Sequence, residues 1–139
     1  MINLHKFGIV ASLFLFSTLV KGEHNLIVSI ENLKNSNGQI SLELTDDKKN
    51  SLTSMTKIIA DKKCIITIPG LKPGKYALRF FHDENKNNKM DTNWFGIPKE
   101  GFGFSNNPNS TFGPPAFDAT IFEVKSHTTL KVTPTYLFK

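Results

Sequence analysis

At 139 residues the chain has room for one domain and one hydrophobic core. With 39% hydrophobic and 21% charged residues it lies outside the disordered regime. Its formal net charge of +5 is nearly all lysine, with Arg79 the only arginine, and is spread along the chain, which argues against the clustered basic face of a nucleic-acid binder.

Met1–Lys6 carries a base and no acid, Phe7–Val20 is apolar, and Val20-Lys21-Gly22 follows. This pattern predicts a signal peptide over residues 1–22, cleaved after Gly22. The apolar run is too short for a membrane anchor, which needs about 20 apolar residues. No Cys follows it, so lipid attachment at a new N-terminal Cys is not expected. Losing Lys6 and Lys21 would lower the formal charge to +3.

Leu26–Ile30 predicts a first strand with Leu26, Val28 and Ile30 on one face. Asn35-Ser36-Asn37-Gly38 carries turn chemistry, and Ile40–Leu44 alternates apolar and polar residues, so the two runs read as a hairpin. Asp46–Met55 is polar and reads as a surface loop. Thr56–Ala60 predicts a short strand and Cys64–Ile68 a firmer one. Cys64 is the sole cysteine, so no intrachain disulfide is available, and its place at the start of an apolar strand predicts a buried structural thiol. Pro69–Gly74 is a tight connection. Lys75–His82 then predicts a strand with Tyr76, Leu78 and Phe80 on one face and Ala77, Arg79 and Phe81 on the other.

From Asp83 to Phe117 periodicity stops. Regularity returns at Thr120–Val124 and Thr129–Tyr136, where Pro134 argues for an edge strand or a bulge. Six or seven short strands without βαβ alternation predict an all-β fold: one antiparallel β-sandwich domain over residues 23–139, with a long ordered loop at 83–117.

A loop of that length needs something to organise it. Asp83, Asn85 and Asn87 occupy positions 1, 3 and 5 of a calcium-type loop. Lys89 stands at position 7, where a main-chain carbonyl suffices, and Asp91 at position 9. Hard cations take six to eight oxygens from carboxylates, amides, carbonyls and water, and this spacing puts such oxygens inside one turn. Position 6 is Asn88 instead of Gly; position 12 is Trp94, so the bidentate carboxylate is missing, and no helix flanks the loop. A further ligand would come from Glu84, Glu100 or Asp118. Weak Ca²⁺ binding is expected, on the order of 10⁻⁴–10⁻³ M. The alternative is a polar hairpin tip in which Asp and Asn make side-chain turns.

The rest of the loop alternates rings with Gly and Pro, from Trp94 to Phe104 and again from Phe112 to Phe117. It reads as a folded-over lid whose Phe side chains plug one end of the sandwich, because Phe lacks the polar handle of Tyr or Trp. The competing reading is a metal-independent binder of a glycan, lipid or peptide, which predicts that Phe102 and Phe104 are substantially exposed.

The runs Leu71–Ala77, Phe81–Asn87, Phe95–Asn107 and Phe112–Ala119 resemble a family of small exported bacterial proteins, the domain of unknown function 2141. Where that family usually has Asn-Gly, this chain has Asn87-Asn88. The resemblance implies an immunoglobulin- or transthyretin-like sandwich and an envelope location, and no established activity. No catalytic residue is assigned: His82 and Asp83 are strand neighbours with opposed side chains, and no nucleophile elbow, zinc pattern or phosphate loop is present. The expected protein is a non-enzymatic, exported binding or structural module. Its partner would be an envelope or extracellular ligand, with no nucleic acid and no stable membrane insertion after cleavage.

Overall fold

The computed structural model describes residues 22–139, so the expected signal peptide lies, but for Gly22, outside the described residues. Period-two burial sets the first strands. In β1 (His24–Ile30) Leu26, Val28 and Ile30 are buried, and in β2 (Gln39–Asp46) Ile40, Leu42 and Leu44 are. β4 (Cys64–Leu71) buries Cys64, Ile66, Ile68 and Leu71. β5 (Gly74–Asp83) turns Tyr76, Leu78, Phe80 and His82 inward. The other strands are β3 (Ser51–Ile58), β6 (Phe102–Phe104), β7 (Ile121–Val124) and β8 (Thr128–Val132), with a 3₁₀ turn at Phe117–Thr120.

One sheet has the order β4-β1-β8, with β1 antiparallel to β4 and parallel to β8. The other runs β3-β2-β5-β6, all antiparallel, and β7 also pairs with β5. β5 is thus central: β2 lines one edge from Tyr76 to Asp83, while β7 and β6 follow each other along the opposite edge. The inward faces of both sheets share one hydrophobic core. The architecture is the expected all-β sandwich, mostly antiparallel, with eight strands rather than six or seven. The extra strand is β6, inside the long loop.

Two expectations about connection are corrected. β1 and β2 do not form a hairpin but belong to opposite sheets. The intervening segment crosses the core, burying Leu33 on the way. Gly38 has the positive φ (72°) that Asn-Gly suggested, for another reason: a Cβ there would stand 2.0 Å from the carbonyl oxygen of Asp83. The polar stretch 46–55 is not one loop either. The Asp46 carboxylate accepts the main-chain N–H of Lys48 (2.9 Å) and Asn50 (2.8 Å), closing a short turn into β3. β3 is an edge strand exposed along most of its length, so it carries no apolar alternation to read. Pro134 lies just beyond β8, itself an edge strand, where a missing N–H costs no ladder bond.

Candidate metal loop and aromatic lid

The loop begins where β5 ends. Asp83 pairs with Gln39 across the sheet, and its side chain is fully buried. Its Oδ1 accepts the N–H of Asn87 (3.1 Å), and its Oδ2 accepts the N–H of Asn88 (2.8 Å) and the amide of Gln39 (3.1 Å). The chain folds back over its own first carboxylate because Lys86 and Asn88 both adopt left-handed backbone, φ 56° and 60°. Asn88 fills the position where glycine was missing, as the residue next best suited to that conformation.

Asn85, Asn87 and Asp91 close the turn. The Asn85 and Asn87 side-chain amides donate to the two Asp91 oxygens at 2.6 and 2.8 Å. Their own carbonyl oxygens accept the main-chain N–H of Asn87 (3.3 Å) and Lys89 (3.0 Å). Asp83, Asn85, Asn87 and Asp91 therefore sit within one turn, and the side chain of Lys89 is exposed. Of the three acids considered for a further ligand, the structure brings Glu100 to the loop. Its Oε1 accepts the N–H of Glu84 (3.0 Å) and its Oε2 the N–H of Asp91 (3.1 Å), bracing both limbs. Glu84 takes part through its main chain, and Asp118 lies exposed in the 3₁₀ turn. Gln39, which also donates to the Asn88 side chain (2.9 Å), carried no sequence signal.

The loop gathers Asp83, Asp91 and Glu100 without a cationic partner. The two salt bridges among the described residues, Arg79–Glu43 and Lys125–Glu123, lie elsewhere. Burial raises the Glu100 carboxyl above the usual 4.5, with the charges of Asp91 and Asp83 adding to the rise. No group of three or more His, Cys, Asp or Glu side chains among the described residues forms a metal-holding cluster. An ion here would depend on amide and main-chain oxygens as well, the donor set of hard cations.

Past Glu100, β6 aligns Phe102 with Phe81 and Phe104 with Arg79, on the face of β5 away from the core. The two rings meet edge to face at 6.2 Å. Phe102 is buried and Phe104 half-buried, so neither has the exposure that the binder reading predicted. The exposed rings are instead Trp94 (96%), Phe95 (84%) and Phe112 (99%). Nor do the Phe102 and Phe104 rings plug an end of the sandwich: they lie on its outer face, under the remaining lid. Between lid and sheet is a cavity of about 900 Å³. Phe81, Phe102 and Phe104 line its sheet side and Met90, Ile97 and Pro114 its lid side.

Three residues of types common in catalysis have structural work here. His82 faces the core and makes no hydrogen bond to Asp83. Its Nε2 donates to the Asn37 carbonyl (2.7 Å), since that oxygen can only accept. Its Nδ1 then accepts from the Tyr136 hydroxyl (2.8 Å), which in turn accepts the N–H of Lys34 (3.1 Å). Ser105 fills the gap on the β5 edge between β7 and β6. Its Oγ accepts the N–H of Leu78 (3.0 Å) and donates to the carbonyl of Thr120. Cys64 is a buried free thiol whose pKa is raised by burial, the reverse of what a reactive thiol needs.

Fold and loop together define a small β-sandwich whose central strand runs into one long, ordered lid. The chain belongs to the family described as "Uncharacterized protein conserved in bacteria (DUF2141)", whose model matches residues 28–132, from the middle of β1 to the end of β8. No curated protein and no solved structure matches it. Among the described residues, no helix is long and apolar enough to cross a membrane.

Proposed function

We propose that this protein is an exported, non-enzymatic binding or structural module of the bacterial envelope, in which loop 83–91 takes Ca²⁺ weakly and so fixes the lid. The observation carrying this reading is the convergence of Asp83, Asp91 and Glu100 with two asparagine amides, with no salt bridge to these acids among the described residues. Asp83, Asn85, Asn87, Asp91 and the main chain of Lys89 would hold the ion, with Glu100 as the added carboxylate. A cation would neutralise charge that the fold otherwise keeps close together. It would compete with N–H donors already satisfying these oxygens, which supports weak affinity.

Export rests on the charged and apolar pattern of residues 1–22. The test is calorimetric titration with Ca²⁺ and Mg²⁺ after EDTA treatment, on wild type and Asp91→Ala. Asp91 is the better probe because it is only half-buried, whereas the buried Asp83 carboxylate also accepts three hydrogen bonds that hold the loop together. Saturable heat with Ca²⁺ that vanishes in Asp91→Ala supports the reading. No heat from wild type at millimolar Ca²⁺ removes the metal from it.

The cavity under the lid favours a second reading, a metal-independent binder of an apolar ligand. Ser41 pairs with Phe81 and lines the cavity floor, so Ser41→Phe would fill part of it. Saturable binding of an anilinonaphthalene dye in wild type, lost in Ser41→Phe, would support a ligand site; equal binding by both would argue against it.

A further inference from the structure

The lid sorts its charges by direction. Between Asn85 and Phe117 the charged residues are Lys86, Lys89, Asp91, Lys99 and Glu100. All three lysines are exposed, and neither salt bridge among the described residues uses them. Both acids turn inward, Asp91 onto the amides of Asn85 and Asn87, and Glu100 onto two main-chain N–H groups. The outer surface of this segment is therefore basic, although the loop itself is built on carboxylates.

The apolar side chains of the same segment are placed the other way round from a core. Trp94 and Phe95 stand at one turn and Phe112 at another, all nearly free of contact, beside Gly96 and Gly113 with φ of 77° and 137°. Apart from its chain neighbours, neither glycine has an atom within 4 Å of where a Cβ would sit, so both turns are open at these positions. Gly96 and Ile97 of the first turn and Phe112 and Gly113 of the second line the same cavity of about 900 Å³, which brings the two turns to a common rim, with Trp94 and Phe95 next to Gly96 in the chain. Three large rings held in water cost free energy with no return in folding. Phe95 and Phe112 carry no polar group with which to orient a sugar or a peptide.

We infer that this rim docks on an anionic phospholipid surface, with Trp94, Phe95 and Phe112 entering the interface and Lys86, Lys89 and Lys99 meeting the headgroups. The pairing of aromatic tips with unpaired lysines is what such a surface complements: rings settle at headgroup depth, and each lysine near the negative surface adds to the attraction. The docking is peripheral and reversible. It depends neither on an ion in loop 83–91 nor on an occupant of the cavity.

Trp94 is the only tryptophan, so its emission reports the rim directly. The protein is mixed, in EDTA, with phosphatidylcholine vesicles with and without phosphatidylglycerol, and followed by fluorescence and co-sedimentation. With phosphatidylglycerol present, Trp94 emission shifts to the blue and the protein sediments with the vesicles. Added salt reverses both effects. Phe95→Ser/Phe112→Ser keeps the reporter and its melting temperature but loses the bound fraction. Lys86→Gln, Lys89→Gln and Lys99→Gln each lower partitioning about fivefold. Ser41→Phe, which alters the cavity, sediments like wild type. No shift and no sedimentation on anionic vesicles, or binding unchanged in the double Phe variant, overturns the inference; dye binding in the cavity is unaffected by that result.

Discussion

Removing the Asp83 carboxylate tests how the long loop is held. In Asp83→Ala the Asn88 N–H loses its acceptor, while the Asn87 N–H is left with the longer bond to the Asn85 side chain (3.3 Å) and the Gln39 amide with its bond to Asn88. An orphaned buried donor costs about 1–3 kcal/mol. Asn87 and Asn88 are themselves exposed, so water recovers part of this, and the expected loss is about 2–4 kcal/mol. Urea unfolding followed by circular dichroism should show the midpoint falling by roughly 1–2 M, since slopes for domains of this size are a few kcal/mol per molar. Asp83→Asn keeps one acceptor oxygen and should lose about half as much. Amide exchange locates the effect, with Asn87 and Asn88 losing protection before residues of β1. A loss under about 0.5 kcal/mol, the range of an ordinary surface change, or undiminished protection at Asn87 and Asn88, would refute Asp83 as the anchor.

Gly103→Ala would place a Cβ 2.5 Å from the Phe80 ring and 3.0 Å from the Thr133 carbonyl, and should destabilise by about 1–3 kcal/mol in thermal melts through overpacking. Tyr136→Phe strips His82 of a donor and the Lys34 N–H of an acceptor, and should cost about 1–2 kcal/mol by urea titration. The raised Glu100 pKa penalises the charged fold at neutral pH. In EDTA that penalty should lift as pH falls through the folded pKa toward 4.5, and Glu100→Gln should flatten this part of the pH–stability curve. Calcium needs the ionised form, so its stabilising effect should fade over the same acidification, as melts with and without Ca²⁺ would show.

What the sequence disclosed was local, and what it concealed was set at a distance. Alternation along Leu26–Ile30, Ile40–Leu44 and Tyr76–Phe80 marks inward faces because each is decided by the strand's own pleat. Gly38 shows that Asn-Gly can announce a positive φ correctly and still mislead about pairing. Local backbone geometry does not say which sheet the chain enters next. β3 reads mostly as loop in the sequence because an edge strand with little buried surface has no apolar face to display. β6 has only three residues, and its central glycine is dictated by the Phe80 ring, a neighbour remote in sequence. The spacing of Asp83, Asn85, Asn87 and Asp91 was legible as one turn, whereas the choice of Glu100 over Glu84 and Asp118 required the fold. The exposure of Phe102 and Phe104 was likewise decided by pairing, which set them against β5 and left Trp94, Phe95 and Phe112 outside.

The hydrogen bonds of the loop bound what a metal can do there. Every oxygen of Asp83, Asp91 and Glu100 already meets an N–H donor, and Lys86 and Asn88 set the left-handed bends of the turn. A site with Kd on the order of 10⁻³ M, at about 10 mM Ca²⁺, contributes only about 1.4 kcal/mol. The Asp83 contacts alone are worth more. If the proposed ion binds, its leverage would fall less on folding than on the lid, where Glu100 ties the turn to the segment running into β6. Relieving the repulsion among the three acids would tighten that tie and steady the limb that carries Trp94 and Phe95. An ion in the loop would thus act on how rigidly the exposed rim is presented, while the sandwich beneath it stays as it is.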